Sequence, residues 1–187
     1  MNEVISIYEK TEGLLRGHFL LSSGLHSDTY LQSEKVMMYP ETSAKVIAPL
    51  VGKLAEIEFD TVVSPAIGGI RFGYELARQL NKRTIFTERV DNNMTLRRGF
   101  ELAKGEMVII AEDVVTTGKS TRECMAAVEA CGAIVVAVVS IIDRSGGEAG
   151  FTVPFIPLAA VDVKTWSVDE CPMCKAGGVA VKPGSRK

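Results

Sequence analysis

A doubly wound α/β fold, with a mostly parallel sheet and helices on both faces, is what this sequence predicts. Three observations carry that expectation. Short aliphatic runs alternate with amphipathic stretches from residue 42 to residue 142. Hydrophobic residues make up 47% of the 187 but aromatics only 6%, so Val, Ile, Leu and Ala must fill the interior. The run Ile134–Ile142 is almost unbroken in β-branched residues, as in a strand covered on both faces. No repeat, low-complexity tract or linker divides the chain, so one domain over 1–187 is expected, long enough to enclose a sizeable core.

Taken in order, Gly17 to Leu31 is rich in hydroxyls and lacks a helical period, which predicts a hairpin. Thr42 to Ile57 predicts a helix, Thr61 to Ser64 a buried strand, Ile70 to Leu80 a helix and Thr84 to Thr87 the next strand. Thr87 to Phe100 carries an Asp91-Asn92-Asn93 turn with Arg89, Arg97 and Arg98, and predicts a hairpin or mobile flap. Met107 to Ile110 reads as a strand, Ser120 to Ala130 as a helix and Ile134 to Ile142 as a strand. This βαβ order implies parallel strands with right-handed crossovers. Ligands of such sheets collect at the strands' carboxyl ends, where Ser64-Pro65, Glu88-Arg89, Glu112-Asp113 and Asp143-Arg144 would share one rim.

The densest chemistry lies in Met107-Val-Ile-Ile-Ala-Glu-Asp-Val-Val-Thr-Thr-Gly-Lys-Ser120, where an apolar run ends in two adjacent acids and then a small, hydroxyl-rich turn. Gly118 with Thr116, Thr117 and Ser120 suits a helix N-terminus. Free backbone N–H groups and the positive end of the helix dipole converge there, so phosphate can be held without a basic side chain. Acids beside such a cradle make sense when the ligand also carries hydroxyls or a divalent cation. Three readings meet here. In the plainest, Glu112 and Asp113 end a strand and Thr116 caps a helix. A nucleoside-triphosphate loop would take Gly118-Lys119-Ser120 as its tail, but at its first glycine Asp113 puts a negative side chain where backbone must curl round a diphosphate. The third is a phosphoribosyl diphosphate site, with sugar hydroxyls on the acids and the 5′-phosphate in the turn. The order of apolar strand, two acids, two apolar residues and Thr-Thr-Gly-x-Ser resembles the signature of type I phosphoribosyltransferases.

Two more segments gain meaning beside that signature. Ala66, Ile67, Gly68 and Gly69 follow Ser64-Pro65, and alone they read as a plain turn. Next to the signature they read as a second anion loop for a diphosphate, with Arg71 as counter-charge. Arg97 and Arg98, otherwise solvated charges, would on a lid close over the departing diphosphate and exclude water.

Phe19-Leu-Leu-Ser-Ser-Gly-Leu-His-Ser27 resembles the opening of orotate phosphoribosyltransferases, where Phe-x-Leu-x-Ser-Gly-x-x-Ser precedes an aromatic pair. With Ser64-Pro65-Ala66, the signature and Ile141-Ile142-Asp143-Arg144, the likeness runs from Phe19 to Arg144. It implies a type I phosphoribosyltransferase fold with an N-terminal hood (1–40), a flap (88–105) and a C-terminal tail (164–187). It implies transfer of a phosphoribosyl group from phosphoribosyl diphosphate to orotate, a pyrimidine-synthesis step, with Mg2+ and small-molecule substrates. Glu112 and Asp113 would hold the ribose hydroxyls, Val114, Val115, Thr116, Thr117, Gly118, Lys119 and Ser120 would wrap the 5′-phosphate, and Arg89 would join them on the donor. Arg97, Arg98 and Asp113 would be catalytic, and magnesium would be held mostly by diphosphate and ribose oxygens and water, with Asp113 the candidate protein ligand. Thr116, Arg144, Tyr30 and Ser23 would contact orotate. Arginine suits a carboxylate because its planar fork grips two oxygens, although without the family Arg144 reads as a salt bridge to Asp143 and Tyr30 as half-buried packing. A homodimer whose flap serves the neighbouring site is implied as well.

The chain departs from the better-known bacterial members where they carry lysines, reading Ser22, Gly68 and Val90 instead. Asp91, Asn92 and Asn93 replace the usual flap Lys and His, so Arg89, Arg97 and Arg98 must supply the charge. Cys171 and Cys174 have the spacing of half a zinc site, but Cys124 and Cys131 lie far off on or after a helix. The pair therefore reads as reduced thiols on a surface loop rather than zinc ligands, completed at most by a second copy. His18 and His26 read as local hydrogen-bonders. A net charge of −2 leaves no electrostatic footprint for nucleic acid. No apolar stretch reaches membrane-spanning length, and Met1 to Lys10 lacks a secretory pattern, which together predict a cytoplasmic location. Two other functions fit the signature. A purine phosphoribosyltransferase would need a hood for a larger, uncharged base, which Arg144 opposes, and a regulator sensing phosphoribosyl diphosphate would need a partner surface.

Overall fold

The computed structural model describes residues 2–21 and 23–183, so Ser22 and the last four tail positions lie outside the described residues. The chain runs through α1 (Glu3–Lys10), β1 (Leu14–Leu20), β2 (His26–Leu31), α2 (Ser33–Met37), α3 (Pro40–Lys53), β3 (Thr61–Pro65), α4 (Gly68–Leu80) and β4 (Arg83–Val90). It continues through β5 (Asn93–Leu96), β6 (Met107–Val115), α5 (Lys119–Ala130), β7 (Ile134–Asp143), β8 (Phe155–Ala160), β9 (Thr165–Trp166) and α6 (Pro172–Lys175).

Six strands form the main sheet in the order β5-β4-β3-β6-β7-β8, parallel throughout except for the antiparallel edge hairpin β4–β5. Successive strand residues point to opposite faces, so the aliphatic runs supply two cores at once. Val62, Ile109, Ala137 and Val139 face one way, under Ile47 and Leu50 of α3 and Phe72 and Leu76 of α4. Val63, Ile110 and Val138 face the other, under Cys124, Met125 and Val128 of α5. Each buried aliphatic side chain contributes about 1.5–3 kcal/mol, and cutting one such as Ile109 to Ala costs roughly 2–5 kcal/mol. The α/β class with a mostly parallel sheet is thus as the sequence predicts.

Helix ends follow local chemistry. The Asn2 side chain accepts a 2.9 Å hydrogen bond from Val4 N and caps α1. Pro40 opens α3, where its missing N–H costs nothing, and Asn81 ends α4 in the left-handed conformation at φ 52°.

Two expectations about elements need correction. The signature strand does not stop before the acids. β6 continues to Val115 because β7 stays paired alongside it as far as Asp143, so Glu112 and Asp113 lie inside the ladder. The cysteine pair is not on a surface loop either: Cys171 is fully buried and caps α6, in which Cys174 is the third residue. A second, three-stranded antiparallel sheet, β1-β2-β9, stands apart from the main one and brings the segments near both ends of the chain together. Beyond β9, Leu20 N donates to Val181 O at 2.8 Å and Val181 N donates to His18 O at 2.8 Å, laying the tail beside β1.

Candidate active site

The carboxyl ends of β3, β6 and β7 supply the rim, and the turn after β6 is its centre. Gly118 caps α5 with φ 71°, a conformation that favours glycine, and the Arg122 and Phe151 side chains lie within 3.0 Å of where its Cβ would be. Arg122 also donates to Thr117 O at 2.8 Å and to Ala149 O, bracing the turn from behind. Sequence reasoning did not single out Arg122. Its one signal was a basic residue in the first helical turn, where the dipole disfavours positive charge and a structural partner is required. Glu112 and Val114 to Thr121 line a small concavity of about 70 Å3 at this turn. Backbone N–H groups of an α-helix start converge there, which suits a phosphate.

Glu112 is buried beside Asp113. Burial first, and then the neighbouring negative charge, push its carboxyl well above the usual carboxylate range. Such a group gains from any ligand that brings hydroxyl donors or a cation to it. Asp113, whose side chain lies close to that of Glu112, also meets the β3–α4 loop. Its Oδ1 lies 2.7 Å from where a Cβ on Gly68 would sit, and a Cβ on Gly69 would lie 2.8 Å from Ala111 O. Glycine is therefore required at both places for the β3–α4 loop to approach β6, and a lysine at position 68 would have to displace the Asp113 carboxylate. The loop turns through a cis Ala66–Ile67 bond and leaves Ile67 exposed at its tip. Arg71, expected to serve as counter-charge here, is ion-paired instead with Glu34 at 3.0 Å.

A larger cavity of about 630 Å3 adjoins the same turn, and Thr116 and Thr117 line both spaces. Its walls include Ser23, Tyr30 and Arg144, so all four residues expected to touch a base, Thr116 among them, meet in one hollow. Hood residue Leu20 and tail residues Thr165 and Pro183 also line it. Arg144 does not pair with Asp143, whose Oδ1 accepts from Ser145 N at 2.7 Å and from Ser145 Oγ at 2.6 Å. Its Nε is buried with no hydrogen-bond partner among the described residues, and desolvation lowers the guanidinium's pKa. A buried cationic donor without an acceptor is costly, so this hollow favours an anion. Tyr30 is half-buried and packs on Phe19 with ring centroids 5.7 Å apart.

The β4–β5 hairpin turns on Asp91 and Asn92, both at positive φ (47° and 65°), the geometry of a two-residue type I′ turn. Its arginines differ in employment. Arg89 is ion-paired to Glu123 of α5 and donates to Asn92 O at 2.6 Å. Arg98 makes two 2.8 Å hydrogen bonds to the carboxylate of Glu88. Arg97 is exposed at the end of β5 and forms no salt bridge among the described residues.

Comparison with known proteins agrees with this geometry. The phosphoribosyl transferase domain family matches residues 39–150. The chain is 51% identical over 189 residues to an orotate phosphoribosyltransferase of Acidithiobacillus ferrooxidans, covering 99% of this chain and 97% of that protein. It is 50% identical over 185 residues, with the same coverage, to an orotate phosphoribosyltransferase of Caldanaerobacter subterraneus. Among solved structures, the orotate phosphoribosyltransferase of Aeropyrum pernix superposes with a TM-score of 0.72 at 24% identity, over 84% of this chain and 93% of that one. Sequence identity of this breadth, with a helix-start turn suited to phosphate beside paired acids and a glycine loop against it, means that the chain belongs to the orotate phosphoribosyltransferase family.

Proposed function

We propose that this chain transfers the phosphoribosyl group of phosphoribosyl diphosphate to orotate, giving orotidine 5′-monophosphate and diphosphate. The observation that carries the reading is the sharing of Thr116 and Thr117 by two spaces, a phosphate-sized hollow and the Arg144 cavity. A ribose lying across that boundary has its 5′-phosphate in the turn and its anomeric carbon toward the cavity.

In this reading the 5′-phosphate takes the amides of residues 114–120. The ribose hydroxyls donate to Glu112 and Asp113, which relieves the unfavourable burial of Glu112. The diphosphate lies on residues 66–69, reached by the backbone because Gly68 and Gly69 carry no side chain. Arg144 holds the orotate carboxylate, Tyr30 lies along the ring, and Thr116 and Ser23 complete the edge. Orotate arrives anionic, so the chain's task is positioning and charge stabilisation as the anomeric carbon gains oxocarbenium character, rather than proton removal. The residues present fit a magnesium ion. Asp113 offers a hard oxygen between the diol and the diphosphate loop, and magnesium there would offset charge on the leaving group.

Arg97 supplies the closing charge over the diphosphate, while Arg89 and Arg98, already tied to Glu123 and Glu88, hold the hairpin's shape and reach the donor when it closes. By family resemblance the enzyme is a homodimer in which each hairpin serves the partner's site. No described helix is long and apolar enough to cross a membrane, and a cytoplasmic location accords with small-molecule substrates.

The test is a panel of orotate, uracil, adenine, hypoxanthine and xanthine, each with phosphoribosyl diphosphate and Mg2+, following diphosphate release. Release with orotate alone supports the reading. Release with a purine instead would replace it with the purine enzyme, and release with none of the bases would leave a sensor of the donor.

A further inference from the structure

Four side chains from two distant parts of the sequence converge where the β1–β2 hairpin meets α6. His18 lies on β1 at an irregularity in its pairing with β2, His26 opens β2, and Cys171 and Cys174 bracket the first turn of α6. Their ligand atoms all lie within 4.8 Å of one another. Cys171 Sγ is 3.4 Å and Cys174 Sγ 3.6 Å from His18 Nε2, Cys174 Sγ is 3.2 Å from His26 Nδ1, and the two imidazole nitrogens are 2.8 Å apart.

Hydrogen bonding alone explains this poorly. His18 Nε2 faces His26 Nδ1 and both sulfurs at once, yet a neutral ring nitrogen has one proton or one lone pair to share. The other nitrogen, His18 Nδ1, is buried without a partner among the described residues, so the ring is oriented by its Nε2 side. For a tetrahedral ion with Zn–S of about 2.3 Å and Zn–N of about 2.05 Å, sulfur and nitrogen ligands should be ~3.5 Å apart and two nitrogens ~3.3 Å. The three sulfur–nitrogen distances bracket the first value, and the two rings need to part by about half an ångström to meet the second.

We propose that His18, His26, Cys171 and Cys174 bind one zinc ion within a single chain, as a structural centre. Two thiolates cancel the charge of the ion, so the filled site is neutral where Cys171 and His26 are buried. The soft sulfur and imidazole donors select against magnesium and calcium. All four positions are taken by protein, which leaves no opening for a reacting water. The local sequence is built for this turn. Pro172 starts α6 directly after Cys171, Gly177 takes the left-handed conformation at φ 81° just after Cys174, and Gly178 lies against the His18 ring, where a Cβ would come 3.3 Å from Nδ1. The ion would join the β1–β2 hairpin to the tail at the place where Val181 pairs with β1. Neither end could then leave the other without losing the metal.

The test uses the full chain, purified without a metal-affinity tag and dialysed against metal-free buffer. Elemental analysis should find about one zinc per chain in the parent and in Cys131→Ser, whose thiol is exposed and outside the cluster, and little in Cys174→Ser or His18→Asn. Should those variants fail to fold, the parent stripped with a chelator and reloaded with Co2+ should show the visible bands of tetrahedral cobalt and a near-ultraviolet sulfur-to-cobalt transition. Zinc reloading should restore the melting temperature that stripping lowers. Parent protein that is metal-free as isolated and whose melting is indifferent to added Zn2+, a Cys171–Cys174 disulfide in the active protein, or iron or copper in the place of zinc would each overturn the assignment.

Discussion

The rim of the main sheet and the hood behind the large cavity both face the same ligand space, yet they are held in opposite ways. The rim is local. Each anion loop is a strand, a short turn and a helix start contiguous in sequence, as in Pro65 to Gly69 and Val115 to Lys119, and the ladder beneath fixes their separation. The hood is held by the tail: residues 14–31 of the one and 165–166 and 171–183 of the other are joined by one antiparallel sheet, two hydrogen bonds and the His–Cys cluster. The difference teaches that, on the proposed reading, grip on the sugar phosphate and choice of base would rest on separable parts of the molecule.

The sharpest way to break that comparison is Arg144, which sits on the rim but faces the hood. Arg144→Ala should lower kcat/KM for orotate by about a thousandfold, since losing one partner of a charged, desolvated pair costs roughly 2–5 kcal/mol. Donor affinity, measured by calorimetry with Mg2+, should stay within about twofold on the same argument. An equal loss of donor binding would show that the two parts are not separable. Arg97→Ala should slow turnover about a hundredfold, a transition-state effect on the scale of one lost charge-stabilising donor, with melting unchanged because Arg97 makes no salt bridge among the described residues. Normal turnover at the parent's melting temperature would remove it from the site.

Stripping the cluster's metal sharpens the contrast from the other side, and rests on both the zinc and the orotate readings. KM for orotate should rise roughly tenfold, about 1.4 kcal/mol of ground-state binding, while KM for the donor changes little. The smallest effect is on stability. A carboxyl whose pKa is raised by folding favours the folded state only while protonated. Glu112 therefore contributes stability below the ordinary carboxylate range, and loses it as pH rises toward its elevated folded value. Glu112→Gln should melt about 2–4 °C above the parent near neutral pH, the size of a 1 kcal/mol gain, with the gap closing in acid. Activity should fall in the same variant. A gap that stayed constant with pH would mean that Glu112 is not the titrating group.

What could be read in the sequence follows the same division. Strands β3, β4, β6 and β7 and helices α3, α4 and α5 were legible because their periodicity and caps are local, and the rim residues came with them. The acids were placed at a strand end because charge usually marks one. The run continues through them since β7 is a partner that no local pattern reveals. β8 escaped notice because Pro157 interrupts its run, a residue tolerated where the strand lies at the sheet's edge. The cluster was hidden for a deeper reason: 144 residues lie between His26 and Cys171 in the chain. A partial signal existed, since closing Leu20 against His26 in the hairpin carries His18 toward His26. The Cys-Pro-x-Cys turn followed by Gly177-Gly178 is the other half, but nothing local says that the halves meet.

Tail residues Lys182 and Pro183 line the large cavity while hanging from β1 through Val181. On the proposed reading, substitutions at these two positions would reshape the space offered to the heterocycle and leave untouched the turn after β6 that faces the activated pentose.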